Sequence, residues 1–113
     1  MRFQRLFLFL FLVSRLLADG ELKVAEADAK RAAIQKPAPG YPAAARQLNV
    51  TGRVDLVAVV GLDGSVEEVR VVTGNPILTK ACGDAVKNWK FTPFRQDGKV
   101  VRAAASLSFD FRQ

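Results

Sequence analysis

Residues 78 to 93 hold the pattern that most narrows the fold. Leu78, Ala81, Cys82, Ala85, Val86 and Trp89 recur at i, i+3, i+4, i+7, i+8 and i+11, which is one apolar face of a three-turn helix. Lys80, Asp84, Lys87 and Asn88 lie off that face. Phe91 continues the apolar run as the chain extends, and Pro93 lacks an amide donor and stops the helix. Trp89 and Phe91 would each bury about 150–250 Å², a large share of any core that 113 residues can build. A base-stacking role would need these rings exposed in a basic groove. Lys87 and Lys90 fall instead on the outer side, so Lys87 to Phe94 is expected to be the hinge between a helix and a strand.

Upstream, Val54, Leu56, Ala58 and Val60 alternate with Arg53, Asp55, Val57 and Val59. The second half of that strand is apolar on both faces, the mark of a central position. Leu62-Asp63-Gly64-Ser65 is a hairpin turn in which Gly64 can take positive φ. The return strand, Val66 to Val72, carries Glu67, Glu68 and Arg70 and suits an outer place. Thr73-Gly74-Asn75-Pro76 turns the chain into the long helix. Asp97-Gly98 introduces a last strand, Val100 to Phe111, with Ala103, Ala105, Leu107, Phe109 and Phe111 on one side. Before the first strand, Pro42 opens a short helix through Leu48, closed by Asn49-Val50-Thr51-Gly52.

These elements predict an α+β domain: a three-stranded antiparallel-type sheet of order 2-1-3, with two helices packed on one face. A right-handed crossover through the long helix lays strand three beside strand one. The other face is expected to stay mostly wet.

The N-terminal region reads differently. Arg2 and Arg5 precede an apolar run from Leu6 to Val13, and small residues follow at Ala18, the pattern of a secretory signal over residues 1–18. A spanning helix needs about 20 apolar residues, and Arg15 interrupts well before that; an uncleaved inner-membrane anchor is the alternative. Without Arg2, Arg5 and Arg15 the 17 basic side chains fall to 14 against 11 acidic ones, a net charge of +3 rather than +6. That balance argues against a nucleic-acid partner, which needs a clustered basic face. Residues 19–40 form a helical or flexible linker: Glu21 to Gln35 has helix-forming composition but a mostly alanine stripe, and Pro37 and Pro39 break any helix. The domain is then 41–113.

Chemistry is sparsely supplied. The chain has no histidine, which removes Ser-His-Asp and Cys-His pairs and the commonest zinc ligand. The single Cys82 forms no disulfide within the chain and is expected to be a small core residue. Glu67 and Glu68 are adjacent on a strand and point to opposite faces, so they cannot act as a pair on one substrate. No enzyme activity, cofactor or metal is expected.

Tyr41-Pro42 with its Ala-rich helix, the strand Gly52 to Val60, the Asp63-Gly64 hairpin and Trp89-Lys90-Phe91-Thr92-Pro93 stand in an order and spacing that resembles the C-terminal domain of TonB, over roughly residues 36 to 112. The resemblance implies a periplasmic, non-catalytic module serving TonB-dependent transmembrane transport. It would take hold of an extended peptide near the N-terminus of an outer-membrane receptor, or of another envelope protein, by adding that peptide as a strand to an open sheet edge. Strand three would be that edge, with Arg102, Ala103, Ala104, Ala105, Ser106, Leu107, Ser108 and Phe109 as the docking rail. Arg46, Gln47, Leu48, Asn49 and Val50 would flank the incoming peptide. Family energy transducers meet the ExbB–ExbD motor through a membrane helix followed by a Pro-rich spacer; neither pattern is present here, so ExbB–ExbD contact is not expected. The alternative function is structural: a homodimer or envelope assembly formed through the same open edge, without energy coupling.

Overall fold

The computed structural model describes residues 20–113, so the expected signal at 1–18 lies outside the described residues. The main sheet has four strands in the order β1-β8-β3-β4: β1 (Leu22–Val24), β8 (Ala103–Phe111), β3 (Gly52–Val60) and β4 (Val66–Thr73). β3 pairs antiparallel with both β4 and β8, so the expected 2-1-3 order stands as β4-β3-β8. The addition is β1, which joins the far side of β8 in parallel and makes the sheet mixed.

Among the described residues three helices complete the fold: α1 (Glu26–Ala32), α2 (Ala43–Gln47) and α3 (Pro76–Val86). All three feed one apolar cluster, through Ala29, Ala45 and the α3 residues Leu78, Cys82 and Val86, against Val54, Leu56, Ala58 and Val60 of β3 and Ala103, Ala105 and Leu107 of β8. α3 starts where its signals place it. The Asn75 side chain accepts from the Ile77 amide at 3.0 Å, and Pro76 occupies the first turn, where its missing N–H costs nothing.

The segment Ala33–Gln35 (β2) pairs antiparallel with Lys90–Phe91 (β5). Phe91 is fully buried and Trp89 is 6 % exposed, so the helix-to-strand hinge is a core element, as the sequence predicts. The Trp89 indole N–H donates to the Pro37 carbonyl at 3.0 Å, satisfying its one polar atom. Gly64, at φ 86°, is fixed twice: a Cβ there would stand 1.9 Å from the Phe91 carbonyl oxygen.

Two expectations change. Residues 22–35, read as part of a linker, contribute two strands and a helix; Ala29, fully buried, shows that a stripe of alanines suffices when a helix approaches closely. The last strand begins at Ala103 rather than Val100. Arg95–Gln96 (β6) and Lys99–Val100 (β7) form their own hairpin, with Asp97 and Gly98 at φ 54° and 79°, a type I′ turn. Val101 and Arg102 then link this hairpin to β8, with the Val101 amide donating to the Phe94 carbonyl.

Candidate docking edge

β8 brings the predicted rail into one line, but its outward side is not open. Leu22, Lys23 and Val24 stand opposite Ala103, Ala104 and Ala105 in parallel register, and the Leu22 amide donates to the Arg102 carbonyl at 2.8 Å. Further along, the Ser108 amide donates to the Glu26 carboxylate. The expectation of a free edge from Arg102 to Phe109 is therefore corrected: the chain's own N-terminal segment occupies the first half and takes the amide of Ser108. The physical reason is main-chain chemistry: unpaired amides and carbonyls on a long strand favour any extended partner within reach.

Beyond Ser108 the strand borders a groove of about 340 Å³ lined by Ala38, Pro39, Tyr41, Phe109, Asp110, Phe111 and Arg112. Phe109 packs edge-on against Trp89, at 6.0 Å between centroids and 87°. Tyr41 meets Phe111 in the same way at 5.4 Å.

Arg46 to Val50 lie at this end of β8. They terminate α2: the Val50 amide donates to the Ala45 carbonyl and the Asn49 amide to the Arg46 carbonyl, with Asn49 at φ 54°, a Schellman arrangement. The Arg46 guanidinium sits 5.3 Å from the Tyr41 ring centroid, and the Tyr41 hydroxyl donates to the Val50 carbonyl. The Gln113 side chain donates to the Arg46 carbonyl at 3.0 Å, so the flank lies beside the chain past the C-terminal end of β8, beyond the predicted rail. Leu48 is 68 % exposed.

The face of the sheet away from the helices carries polar side chains that tie its strands together. The Asp55 carboxylate on β3 accepts from the Ser108 hydroxyl at 2.6 Å, the Arg53 guanidinium at 2.8 Å and the Thr73 hydroxyl at 3.1 Å, joining β8, β3 and β4. The Ser108 hydroxyl, with Arg53 beside it, holds the Asp55 carboxyl below the usual carboxylate range. Arg70 of β4 pairs with Glu21 at 3.1 Å, and Arg102 with Glu67 at 3.0 Å. Val59 is only 4 % exposed on this face, where wet surface was expected. Burial pushes the Cys82 thiol up to about 11, as suits an inert core cysteine. Among the described residues no group of three acidic, cysteine or histidine side chains could hold a metal ion.

The residues that sequence reasoning missed are Leu22, Val24 and Glu26. Leu22 and Val24 do alternate, with Lys23 outward, but three residues are too short a run to mark a strand.

Comparison with known proteins decides the family. The profile described as the Gram-negative bacterial TonB protein C-terminal matches residues 37–113. The chain belongs to the TonB C-terminal family. Protein tonB2 of Pseudomonas aeruginosa is 35 % identical over 81 residues, covering 70 % of this chain and 30 % of its own length. Protein TonB of the same organism is 28 % identical over 76 residues, covering 66 % of this chain and 22 % of that protein. The chain thus spans less than a third of the length of these curated relatives. The solution NMR structure of the Pseudomonas aeruginosa TonB C-terminal domain superposes with a TM-score of 0.60 at 25 % identity, covering 72 % of this chain and 84 % of that one. Residues 22–35 precede the segment that the family profile matches.

Proposed function

We propose that this chain is a periplasmic, non-catalytic binding module of TonB-dependent transport, which captures an extended peptide of an outer-membrane receptor or envelope partner by strand addition along β8. Membership of the TonB C-terminal family supports the transport role and the absence of catalysis. One observation carries the strand-addition part: the outward side of β8 pairs with an extended segment some 80 residues away in sequence, in parallel and in regular register. Main-chain pairing of that kind gives affinity with loose sequence demands, while alternate side chains supply selectivity. The groove beside Phe109 and Phe111 would receive the far end of the incoming peptide.

The test is titration of labelled peptides from receptor N-termini against the domain, with the amides of β8 as reporters. Saturable binding that perturbs Ala104, Ser106 and Ser108 is expected. No binding up to about 1 mM, a free energy near −4 kcal/mol, would remove the reading. Molecular mass in dilute solution separates it from self-assembly, since a monomer at micromolar concentration leaves no place for a structural dimer.

A further inference from the structure

β1 lies where a partner strand would lie on the reading above, and it is held there lightly. It pairs over three residues and stops where α1 begins. Of its side chains only Val24 is inside, at 7 % exposed; Leu22 is half-buried and Lys23 is exposed. At Glu26 the backbone has already turned into the helix, yet the side-chain carboxylate reaches the Ser108 amide, the group that a continued strand's carbonyl would take. The remaining tie, Glu21 to Arg70, is an exposed ion pair of the kind that salt screens. α1 itself is fixed more firmly, because Ala29 is fully buried.

We infer that Leu22–Glu26 is a built-in occupant of the docking edge, displaced when a partner segment of the same chemistry arrives. That segment is extended, runs parallel to β8, is apolar at alternate residues facing the helices and offers a hydrogen-bond acceptor to Ser108. The inference rests on the proposed function for the partner's identity, but not for the mobility of β1. Displacement exchanges one set of main-chain hydrogen bonds for another, so its cost is confined to Val24, Leu22 and the Glu26 and Glu21 contacts. Apparent affinity falls by the fraction of time the edge is free; an edge free about 1 % of the time binds about 100-fold more weakly than an open one.

The experiment uses the full chain and a synthetic peptide of its residues 20–27 as probe. Val24→Pro removes an amide on the side of β1 that faces β8 and should open the edge. Lys23→Cys with Ala104→Cys joins register partners and, once oxidised, should lock it closed. Probe binding at least about tenfold tighter to Val24→Pro than to the unaltered chain is expected, with none to the oxidised lock and recovery on reduction. Unchanged Trp89 emission confirms that each variant is folded. Equal affinity across the three, or no binding to a folded Val24→Pro, overturns the inference. Hydrogen exchange adds a ligand-free reading: the Leu22, Val24 and Ser108 amides should exchange together, well before the β3–β8 ladder. Exchange of these amides only on global unfolding would also overturn it. Should the probe bind the opened edge while receptor peptides do not, the displaceable strand stands and the proposed function falls.

Discussion

β8 and β4 both flank the central strand β3, and they meet their outer sides in different ways. β8 is lined with small residues and carries the chain's own β1 on its outward side. β4 ends the sheet with no strand beside it among the described residues, and exposes Val71 and Val72 at 54 % and 60 %. What guards β4 is charge: Glu67, Glu68 and Arg70 lie along it, with Arg70 also paired to Glu68 at 2.9 Å. Charged side chains are a common defence of an exposed edge, whereas a three-residue cover is a reversible one. The proposed function puts recognition on the side that is covered, since a covered edge can be opened on demand and a charged one is closed to most strands.

The comparison can be broken at its strongest point. Leu107 on β8 is 1 % exposed, and Leu107→Ala should cost about 2–5 kcal/mol in urea unfolding. Val71→Ala on β4 should stay within about 0.5 kcal/mol. Similar losses from both would mean that β4 is covered in solution. Next in size is association: Glu68→Val combined with Arg70→Val strips the charge from β4 and should convert a monomer to dimers or aggregates by sedimentation. If the doubly substituted chain remains monomeric, charge is not what protects that side.

A pH series comes third. The folded Asp55 carboxyl is held below its ordinary value of 3.8 by the Ser108 hydroxyl and Arg53, so its contribution is present above that value and is lost as pH falls through the depressed one. Asp63, through the Ser65 amide, and Asp84, through Lys80, are depressed in the same direction. Asp55→Asn should therefore flatten the acid limb of the stability curve below about pH 4 and leave neutral-pH behaviour of the β1 edge unchanged. The smallest effect is Arg70→Ala, which releases Glu21. It should hasten Leu22 amide exchange at low salt and have no effect at high salt.

Much of this molecule is legible in local pattern. The α3 face from Leu78 to Trp89, the Asp63-Gly64 turn and the two-sided apolar half of β3 each announce themselves within a dozen residues. The sheet order β4-β3-β8 follows from them with one chirality rule. What is not legible is β1. Its pairing with Ala103–Ala105 joins segments some 80 residues apart, three residues give no usable period, and the alanine stripe of α1 looks too small to dock until the partner surface is known. The same limit governs the candidate site. The rail residues were readable as a strand, but whether its outward side was free depended on a segment whose local signal is almost nil. The end of the short helix near Asn49 is legible in the sequence; the positive φ of Asn49 that shapes Arg46 to Val50 is not.

The central claim is that β8 recognises an extended chain and that β1 holds its place until then. Amide exchange of Leu22 and Val24, followed while a receptor N-terminal peptide is titrated to saturation, tests it most directly. The account predicts that their protection is lost in step with binding, while Ser108 stays protected and β4 is unaffected. Saturation with Leu22 and Val24 still fully protected, or protection appearing along Val66–Thr73 instead, would contradict it.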